Sequence, residues 1–281
     1  MIMKKNILKI IIAYHKPSFL LKSNIYLPVH VGRNIAMQNT KDGKVSKKDY
    51  KWLMRNLIGD NTGKNISDKN REWCELTGIY WAWKNYDKIG NPDYIGFMHY
   101  RRFFDFGDYY KNSDIKNFVK KYDFMILGRS PHDDYYKNNY NQYKLSEYHH
   151  IEDFEKALNI AKHLYPKYSE AIDNYLKLDY AHFCNMFIMK RELFFEYCEW
   201  LFSILEQLEK EIDITNYNVQ ERRLFGYIAE RLTGIFYFHF KQKENAKFKE
   251  LPMLSPKKLA KINFKFRVYK LIKKLRPLYF D

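Results

Sequence analysis

The chain has 281 residues, a formal net charge of +16 and a hydrophobic content of 46%. This length suits one large domain with a sizeable core, and the positive balance favours polyanions: nucleic acid, an anionic membrane surface or phosphorylated substrates. The three cysteines show no CxxC spacing, so they indicate reduced thiols in a cytosolic protein rather than a disulfide framework or a zinc site.

The first predicted element is a strand over residues 7–13, a continuous apolar run that is closed by "YHKP". The run is short, Lys9 interrupts it and no small-residue cleavage site follows, so a buried strand fits better than a signal peptide. Residues 26–32, "YLPVHVG", form either a short strand or an irregular loop. No stretch of the sequence reaches the roughly 18 apolar residues needed to cross a bilayer.

A loop of glycines and small polar residues, 59–66, stands directly before an aromatic segment. Ser67 is a suitable N-cap for a helix. One apolar face of that predicted helix consists of Trp73, Leu76, Tyr80 and Trp83. A loop before a helix N-terminus can seat a phosphate, although the spacing matches neither a Walker loop nor GxGxxG, and an ordinary surface loop is the simpler interpretation.

Strands alternate with helices in the next segment. Residues 93–104, "DYIGFMHYRRFF", predict a second strand, 113–121 a helix and 122–128 a third strand. This alternation predicts a parallel, doubly wound α/β sheet, in which ligands bind at the carboxyl ends of the strands. We therefore expect a shared ligand edge formed by residues 14–17, 99–102 and 128–134.

Two adjacent arginines stand near the end of the second predicted strand. Successive residues of a strand point to opposite sides, so only one of Arg101 and Arg102 faces a given pocket unless the strand has ended. An arginine at this place can bind a diphosphate with two parallel hydrogen bonds. The alternative is a surface ion pair with Asp105 or Asp108.

In the second half, helices are predicted at 151–177 with a break at Pro166, at 191–210 and at 218–232, and strands at 183–190 and 234–240. Arg223 and Glu230 are seven residues apart on the last helix. They therefore share a face, and a structural salt bridge is the simple interpretation.

The segment 257–276 contains no acidic residue. Its predicted apolar helix face consists of Val268, Leu271, Ile272 and Leu275, and lysines and an arginine surround it. Such a helix either binds an anionic membrane surface or forms a solvated cap over the core. We predict one domain over 1–240 and a basic amphipathic helical tail over 241–281.

Acidic pairs near the expected ligand edge are candidate metal ligands. Asp105 belongs to "DFGD", and Asp133 is followed by Asp134. Neither pair has the DxD spacing, in which two carboxylates share a divalent cation that holds phosphates, and solvated charge is the default interpretation. The GxSxG and HExxH motifs of familiar hydrolases are absent.

With these residues in place, the sequence resembles the bacterial DUF4422 glycosyltransferases of capsule, exopolysaccharide and O-antigen clusters. The blocks that carry the resemblance occur in order: "IIIAYHKP", "YLPVHVG", "GDNTGKNISDKNREWCELTGIYWAWKN", "YIGFMHYRRFF", "NMFIMKRELFFEYCEWLF" and "ERRLFGYIAERL". They cover about residue 7 to about residue 240 and leave the basic tail outside.

The resemblance implies a GT-A-like nucleotide-diphospho-sugar transferase fold, with a mostly parallel central sheet flanked by helices. It implies transfer of a sugar to a lipid-linked glycan in surface polysaccharide synthesis, on the cytoplasmic face of the membrane. It implies a UDP-sugar as the donor, with galactose or galactofuranose as the sugar. Fold alone does not fix these choices.

The matching motifs imply donor binding by His15, Asn65, Asp68, Lys69, Asn70, Glu75, His99, Arg101 and Arg102. Loop 59–70 would contact the nucleotide or the diphosphate, and the aromatic helix would be the rigid wall that holds this loop. Trp81 and Trp83 point to different sides of the helix, so only one of them would touch the ligand. The residues assigned to the acceptor or to structure are Asn185, Arg223 and Glu230.

Two features of the chemistry stay open. Either Asp105 or the pair Asp133 and Asp134 helps to hold Mg²⁺ or Mn²⁺, or the two arginines at 101 and 102 neutralise the leaving diphosphate without a metal. An inverting enzyme needs a carboxylate base, for which Asp179 is the candidate, whereas a retaining enzyme does not need that base in the same role.

Charge and tyrosine abundance also suit two other classes, a nucleic-acid-binding protein and a non-catalytic scaffold at the membrane surface. No recognised nucleic-acid motif occurs, and the cations concentrate in the tail rather than alternating with aromatic residues. We therefore expect no nucleic-acid partner.

Overall fold

The computed structural model describes residues 6–38, 45–108, 111–259 and 261. Its strands are β1 (Leu8–Tyr14), β2 (Tyr26–His30), β3 (Ile58–Gly59), β4 (Tyr94–His99), β5 (Phe103–Phe104), β6 (Phe124–Leu127), β7 (Ser130–Pro131), β8 (Tyr180–Ala181), β9 (Phe187–Lys190), β10 (Phe248–Leu251) and β11 (Met253–Leu254). Its helices are α1 (Lys47–Asn56), α2 (Asn70–Trp73), α3 (Leu76–Lys84), α4 (Asn112–Val119), α5 (Asn139–Lys144), α6 (Ile151–Leu164), α7 (Ser169–Leu176), α8 (Arg191–Glu211) and α9 (Leu224–Lys241). The helix face predicted at Val268, Leu271, Ile272 and Leu275 lies outside the described residues.

Strand β1 lies near the middle of a seven-stranded sheet with the order β10-β6-β9-β4-β1-β2-β3. It runs parallel to both β2 and β4, and β6 runs parallel to β10. Strand β9 is antiparallel between β4 and β6, so the sheet is not the wholly parallel one expected from the alternation of elements. The mostly parallel central sheet flanked by helices is confirmed.

The continuous apolar run of β1 arises because both faces of the strand are covered. Ile11 and Ala13 pack in a large core with residues of α3, α6, α8 and α9. Ile10 and Ile12 point to the other side, where Leu53 of α1 and residues of α4 complete a second core. In the part of the chain that the structure describes, no helix combines the length and the apolarity needed to cross a bilayer.

The aromatic segment forms two helices, so the continuous helix predicted from residue 67 is wrong. Between α2 and α3 the backbone of Cys74 has φ 51° and ψ −133°, which interrupts the helix. The Asn70 side-chain amide donates a hydrogen bond of 2.5 Å to the Cys74 carbonyl. Ser67 lies in a short 3-10 turn, and its hydroxyl donates to Asp60 over 2.5 Å instead of capping the helix.

Residues 234–240, predicted as the final strand, belong to helix α9. Their aromatic side chains are largely buried, and a helix that is apolar on most sides loses the periodic pattern that identifies it. After this helix, β10 pairs with β6 and β11 pairs with β5. The sheet therefore extends beyond the boundary predicted at residue 240.

Candidate functional site

A cleft of about 800 Å³ opens at the carboxyl ends of β1, β2 and β4. The residues at and after these strand ends form one wall, which includes His15, Gly32 and His99. The facing wall comes from α2, the residues before α9 and the first turns of α9: Asn70, Arg71, Cys74, Glu75, Tyr217, Asn218, Val219, Arg222, Arg223, Tyr227 and Glu230. The cleft thus lies at the sheet edge where a ligand was expected.

A tight turn after β4 brings both arginines of "HYRR" to the cleft. The His99 amide donates to the Arg102 carbonyl over 3.3 Å, and the Arg102 amide donates to the His99 carbonyl over 3.0 Å. Both Arg101 and Arg102 line the cleft. The alternation rule does not separate them, because the strand has already ended at His99.

Positive side chains dominate the lining of the cleft. Among the described residues, two carboxylates, Glu75 and Glu230, face six cations: Lys16, Arg71, Arg101, Arg102, Arg222 and Arg223. Guanidinium groups match the oxygens of phosphates and can bind two of them at once. The charge balance therefore favours a ligand with concentrated negative charge.

Both oxygens of the Glu230 carboxylate accept a hydrogen bond. Oε1 accepts from the Cys184 amide over 2.8 Å, and Oε2 accepts from Arg231 Nη1 over 3.1 Å. Burial raises the pKa of the Glu230 carboxyl; Arg231 opposes the rise and the neighbouring Glu75 adds to it. The predicted pairing with Arg223 is wrong, since Arg223 precedes α9 in a 3-10 turn and donates to the Tyr227 hydroxyl over 3.3 Å.

A second carboxylate and a histidine lie beside Glu230. Glu75 Oε1 accepts a hydrogen bond of 2.9 Å from the Asn185 side chain, which is buried. His99 Nε2 lies 2.6 Å from the Cys184 carbonyl, which can only accept, so this nitrogen carries a proton. Burial lowers the pKa of His99 and thereby favours the neutral imidazole, whereas the neighbouring Glu75 raises this pKa.

The wall at the end of β2 is held by the buried carboxylate of Asp60. Its oxygens accept from the Gly32 amide over 2.8 Å and from the Thr77 hydroxyl over 2.7 Å. Gly32 has φ +66°, and a Cβ added there would lie 2.4 Å from Asn70 Oδ1. Asp60 thus connects the β2 wall to α3, and only glycine allows Asn70 to approach that wall so closely.

A family model described as "Domain of unknown function (DUF4422)" matches residues 9–243. The chain belongs to the DUF4422 family. The DUF4422 chain is similar, over 89% of its own length, to the apo structure of the WbbM bifunctional glycosyltransferase. The sequence identity is 35% and the TM-score is 0.75.

The matched part makes up 45% of the WbbM chain, so the DUF4422 chain spans less than half the length of that protein. No curated protein matches the DUF4422 chain. The structural similarity confirms the predicted α/β glycosyltransferase fold with a mostly parallel central sheet.

Six of the nine residues predicted for donor binding line the cleft of the DUF4422 chain: His15, Asn70, Glu75, His99, Arg101 and Arg102. The other three lie elsewhere. Asn65 donates to the Gly63 carbonyl over 2.8 Å, Asp68 is exposed, and Lys69 forms an ion pair of 2.6 Å with Glu209. Loop 59–66 therefore contributes no side chain to the lining of the cleft.

The aromatic helix does hold that loop, as the sequence predicted. Trp81 Nε1 donates to the Thr62 carbonyl over 3.0 Å, and Asn85 Nδ2 donates to the Lys64 carbonyl over 2.7 Å. Trp83 points to another side and stacks on Phe202 with 5.6 Å between ring centroids. Neither tryptophan of α3 lines the cleft.

The residues predicted for proton transfer and metal binding lie outside the cleft lining. Asp179 is exposed beside β8. Asp105 accepts from the Gly107 amide and Asp133 from the Tyr136 amide, while Asp134 is exposed. Among the described residues, no group of three or more His, Cys, Asp and Glu side chains is arranged to hold a metal ion.

Several cleft residues were missed by sequence reasoning. Arg71 and Arg222 each stand next to a residue that the sequence analysis named, so their position beside it was the available signal. Lys16 lies within the segment 14–17 expected at the ligand edge, but it was not named as a donor-binding residue. Arg222 also donates to the Tyr217 carbonyl over 3.0 Å and fixes the loop before α9. The peptide of Cys184 acts through its backbone groups, for which a side-chain pattern gives no signal.

Proposed function

We propose that the chain is a glycosyltransferase that moves a sugar from a nucleotide-diphospho-sugar to a hydroxyl group of a glycan acceptor. One observation carries this proposal: cationic side chains at the carboxyl ends of β1 and β4 line a cleft that also contains two carboxylates. The similarity to WbbM supports the reaction class.

The donor diphosphate binds to Arg101 and Arg102 at the turn after β4, with Lys16 at the end of β1. This arrangement offers fixed donors for several phosphate oxygens and positive charge where the nucleoside diphosphate departs. In the transition state the charge on the leaving oxygens grows, so these contacts strengthen as the reaction proceeds.

The side chains of the cleft do not fit a site for Mg²⁺ or Mn²⁺. Among the described residues, two carboxylates line the cleft, Glu75 and Glu230, and Glu230 is paired with the cationic Arg231. The described residues contain no group of three or more His, Cys, Asp and Glu side chains arranged to hold a metal ion. The three aspartates predicted as ligands, at 105, 133 and 134, do not line the cleft. Of the two alternatives that the sequence left open, we propose the one in which arginines neutralise the leaving diphosphate.

Glu230 is the base for an inverting transfer, in place of the predicted Asp179. Its raised pKa gives the carboxylate a stronger affinity for a proton, and 20% of its side chain stays exposed to the cleft. The acceptor oxygen forms a bond to the anomeric carbon and its proton passes to Glu230. The bond from the anomeric carbon to the phosphate oxygen breaks, and its electron pair leaves with the nucleoside diphosphate.

The nucleotide is UDP, the sugar is galactose or galactofuranose, and the acceptor is a lipid-linked glycan of surface polysaccharide synthesis. Residues 257–276, with no acidic residue among them, bind the anionic inner face of the cytoplasmic membrane.

Calorimetric titration of the full chain with UDP, GDP, CDP and TDP sugars, with and without Mn²⁺, tests the proposal. We expect one nucleotide class to bind, with an affinity that falls as salt rises and does not depend on Mn²⁺, and release of nucleoside diphosphate on adding an acceptor. Absence of binding to every nucleotide sugar, together with a sequence-tolerant affinity for oligonucleotides, would refute it.

A further inference from the structure

Arg231 lies directly behind Glu230 and does not line the cleft. Its side chain is 3% exposed. Nη1 donates to Glu230 Oε2 and to the Tyr227 carbonyl, each over 3.1 Å, and Nη2 donates to Gln142 of α5. The guanidinium group is therefore held in one place by three acceptors from two helices.

Two aromatic rings enclose the same guanidinium group. The rings of Tyr143 and Phe183 each lie 5.1 Å from the central carbon of Arg231. Such stacking favours arginine over lysine, because the planar group can contact rings on its faces while its edges donate hydrogen bonds. Phe183 immediately precedes Cys184, whose amide binds the other oxygen of Glu230.

Stability alone gives little reason for a buried ion pair at this place. The cost of removing two charges from water offsets most of their attraction, and well-packed apolar residues often serve as well. An arginine that binds one oxygen of a cleft carboxylate, while a fixed peptide binds the other, does however determine the orientation of that carboxylate.

We propose that Arg231 is the positioning residue of the transfer reaction: it fixes Glu230 as an ionised, oriented proton acceptor and does not itself touch the substrate. This inference rests on the proposed function, in which Glu230 takes the acceptor proton. Each carboxylate oxygen has two lone pairs, so the bonds to Cys184 and Arg231 leave acceptor capacity on the side of the cleft.

The other groups around Glu230 explain why a fixed cation is needed. The titratable or charged neighbours from the elements packed against it are Glu75 after α2, His99 of β4, Arg102 after β4, Tyr175 of α7, the Cys184 thiol, and Tyr227 and Arg231 of α9. Burial and Glu75 raise the pKa of Glu230, whereas Arg231 is the larger of the two cationic effects that lower it. Without Arg231 the pKa of Glu230 would rise further, so a larger fraction of the carboxyl group would hold its proton and could not act as a base.

The decisive experiment compares the pH profiles of kcat/KM for the full chain and its Arg231→Met variant. Turnover is measured as release of nucleoside diphosphate from the nucleotide sugar selected by the titrations above. For Arg231→Met we expect the acidic limb of the profile to move up by about 1–3 pH units, as for a carboxyl that loses an adjacent cation. Activity should recover at alkaline pH, and donor affinity should stay unchanged.

Two further variants provide controls. Arg231→Lys keeps a cation beside Glu230 and should leave the acidic limb close to that of the wild type, at a lower plateau because the bond geometry is lost. Gln142→Leu removes a neutral partner of the same guanidinium group and should not move the limb. If Arg231→Met does not fold, Arg231→Gln takes its place. Its amide can still donate to Glu230 Oε2 but carries no charge, so the acidic limb should move up in this variant too, and an unmoved limb would overturn the proposal.

A readout independent of turnover is the titration of the Glu230 carboxyl carbon by NMR, assigned with Glu230→Gln. A midpoint that is the same in wild type and Arg231→Met, or a rate loss that is equal at every pH, would overturn the positioning role. If the wild type turns over no nucleotide sugar, the proposed function fails, and that failure differs visibly from an unmoved midpoint in an active enzyme.

Discussion

Replacement of Asp60 by asparagine tests how the frame of the cleft is held. The side chain is fully buried, and its two oxygens face four donors. Oδ1 accepts from the Arg33 amide over 3.2 Å and the Ser67 hydroxyl over 2.5 Å, and Oδ2 accepts from the Gly32 amide over 2.8 Å and the Thr77 hydroxyl over 2.7 Å. An asparagine supplies only one oxygen, so its amide group must face two of these donors.

The most favourable orientation puts the new amide nitrogen at the Oδ1 position. The bond lost there is the longest of the four, the 3.2 Å bond from the Arg33 amide. The Ser67 hydroxyl can rotate and accept, but the Arg33 backbone amide is left without its acceptor. An unsatisfied buried donor costs about 1–3 kcal/mol, and the bonds that remain to the neutral oxygen are roughly half as strong as those to a carboxylate. We therefore expect Asp60→Asn to lower the free energy of unfolding by about 2–4 kcal/mol.

Urea titration followed by tryptophan fluorescence measures this loss, with Asp68→Asn as the matched control. Asp68 is exposed, and its substitution should change the free energy of unfolding by less than about 0.5 kcal/mol. Because Gly32 lines the cleft, Asp60→Asn should also weaken nucleotide binding. Equal stability and equal nucleotide affinity in the two variants would refute the role given to this carboxylate.

Three other predictions concern the reaction and the membrane. Arg102→Gln should weaken nucleoside diphosphate binding about 10- to 100-fold, as expected for the loss of a charged hydrogen bond, and calorimetry measures this. Arg55→Gln, on the exposed side of α1, is the control and should leave the affinity unchanged. Equal losses of affinity in the two variants would count against a specific phosphate site. Transfer should persist in excess EDTA, and a loss that Mn²⁺ restores would contradict the metal-free proposal. A chain that lacks residues 257–281 should keep donor turnover but no longer bind anionic liposomes in a flotation assay. If this truncation abolished donor binding instead, the role given to the tail would be wrong.

Strand positions and the location of the cleft could be predicted because they depend on local patterns. The apolar runs at β1, β4 and β6 are buried on both faces, and the long amphipathic helix α8 follows its periodicity. Once parallel strands are inferred, their carboxyl ends must share an edge, which brings His15 and the residues at 99–102 together.

What could not be predicted depends on contacts between distant residues or on side chains bonded to the backbone. The Asn70 side chain ends α2 at a place where apolar spacing continues, so periodicity predicted one long helix. The spacing of Arg223 and Glu230 assumed a continuous helix, although α9 begins only at Leu224. Residues 128–134 follow β6, which antiparallel β9 separates from β4, so they do not reach the cleft.

The backbone at the cleft is strained, and hydrogen bonds with the candidate functional side chains stabilise its conformation. Cys74, Cys184 and Asn185 all have positive φ, which costs of the order of 1–3 kcal/mol for each residue other than glycine. Glu230 accepts from the Cys184 amide, and Glu75 accepts from the Asn185 side chain.

The candidate base is therefore also a support for the backbone that faces it, and truncation to alanine would remove both roles at once. Glu230→Gln separates them, because its carbonyl oxygen can still accept from the Cys184 amide. Its amide group takes the place of Oε2, where it can neither accept from Arg231 nor take a proton. Loss of about 10²- to 10⁴-fold in transfer with donor affinity intact would assign the chemistry to the carboxylate. A parallel loss of donor binding would instead mean that Glu230 acts chiefly through the frame.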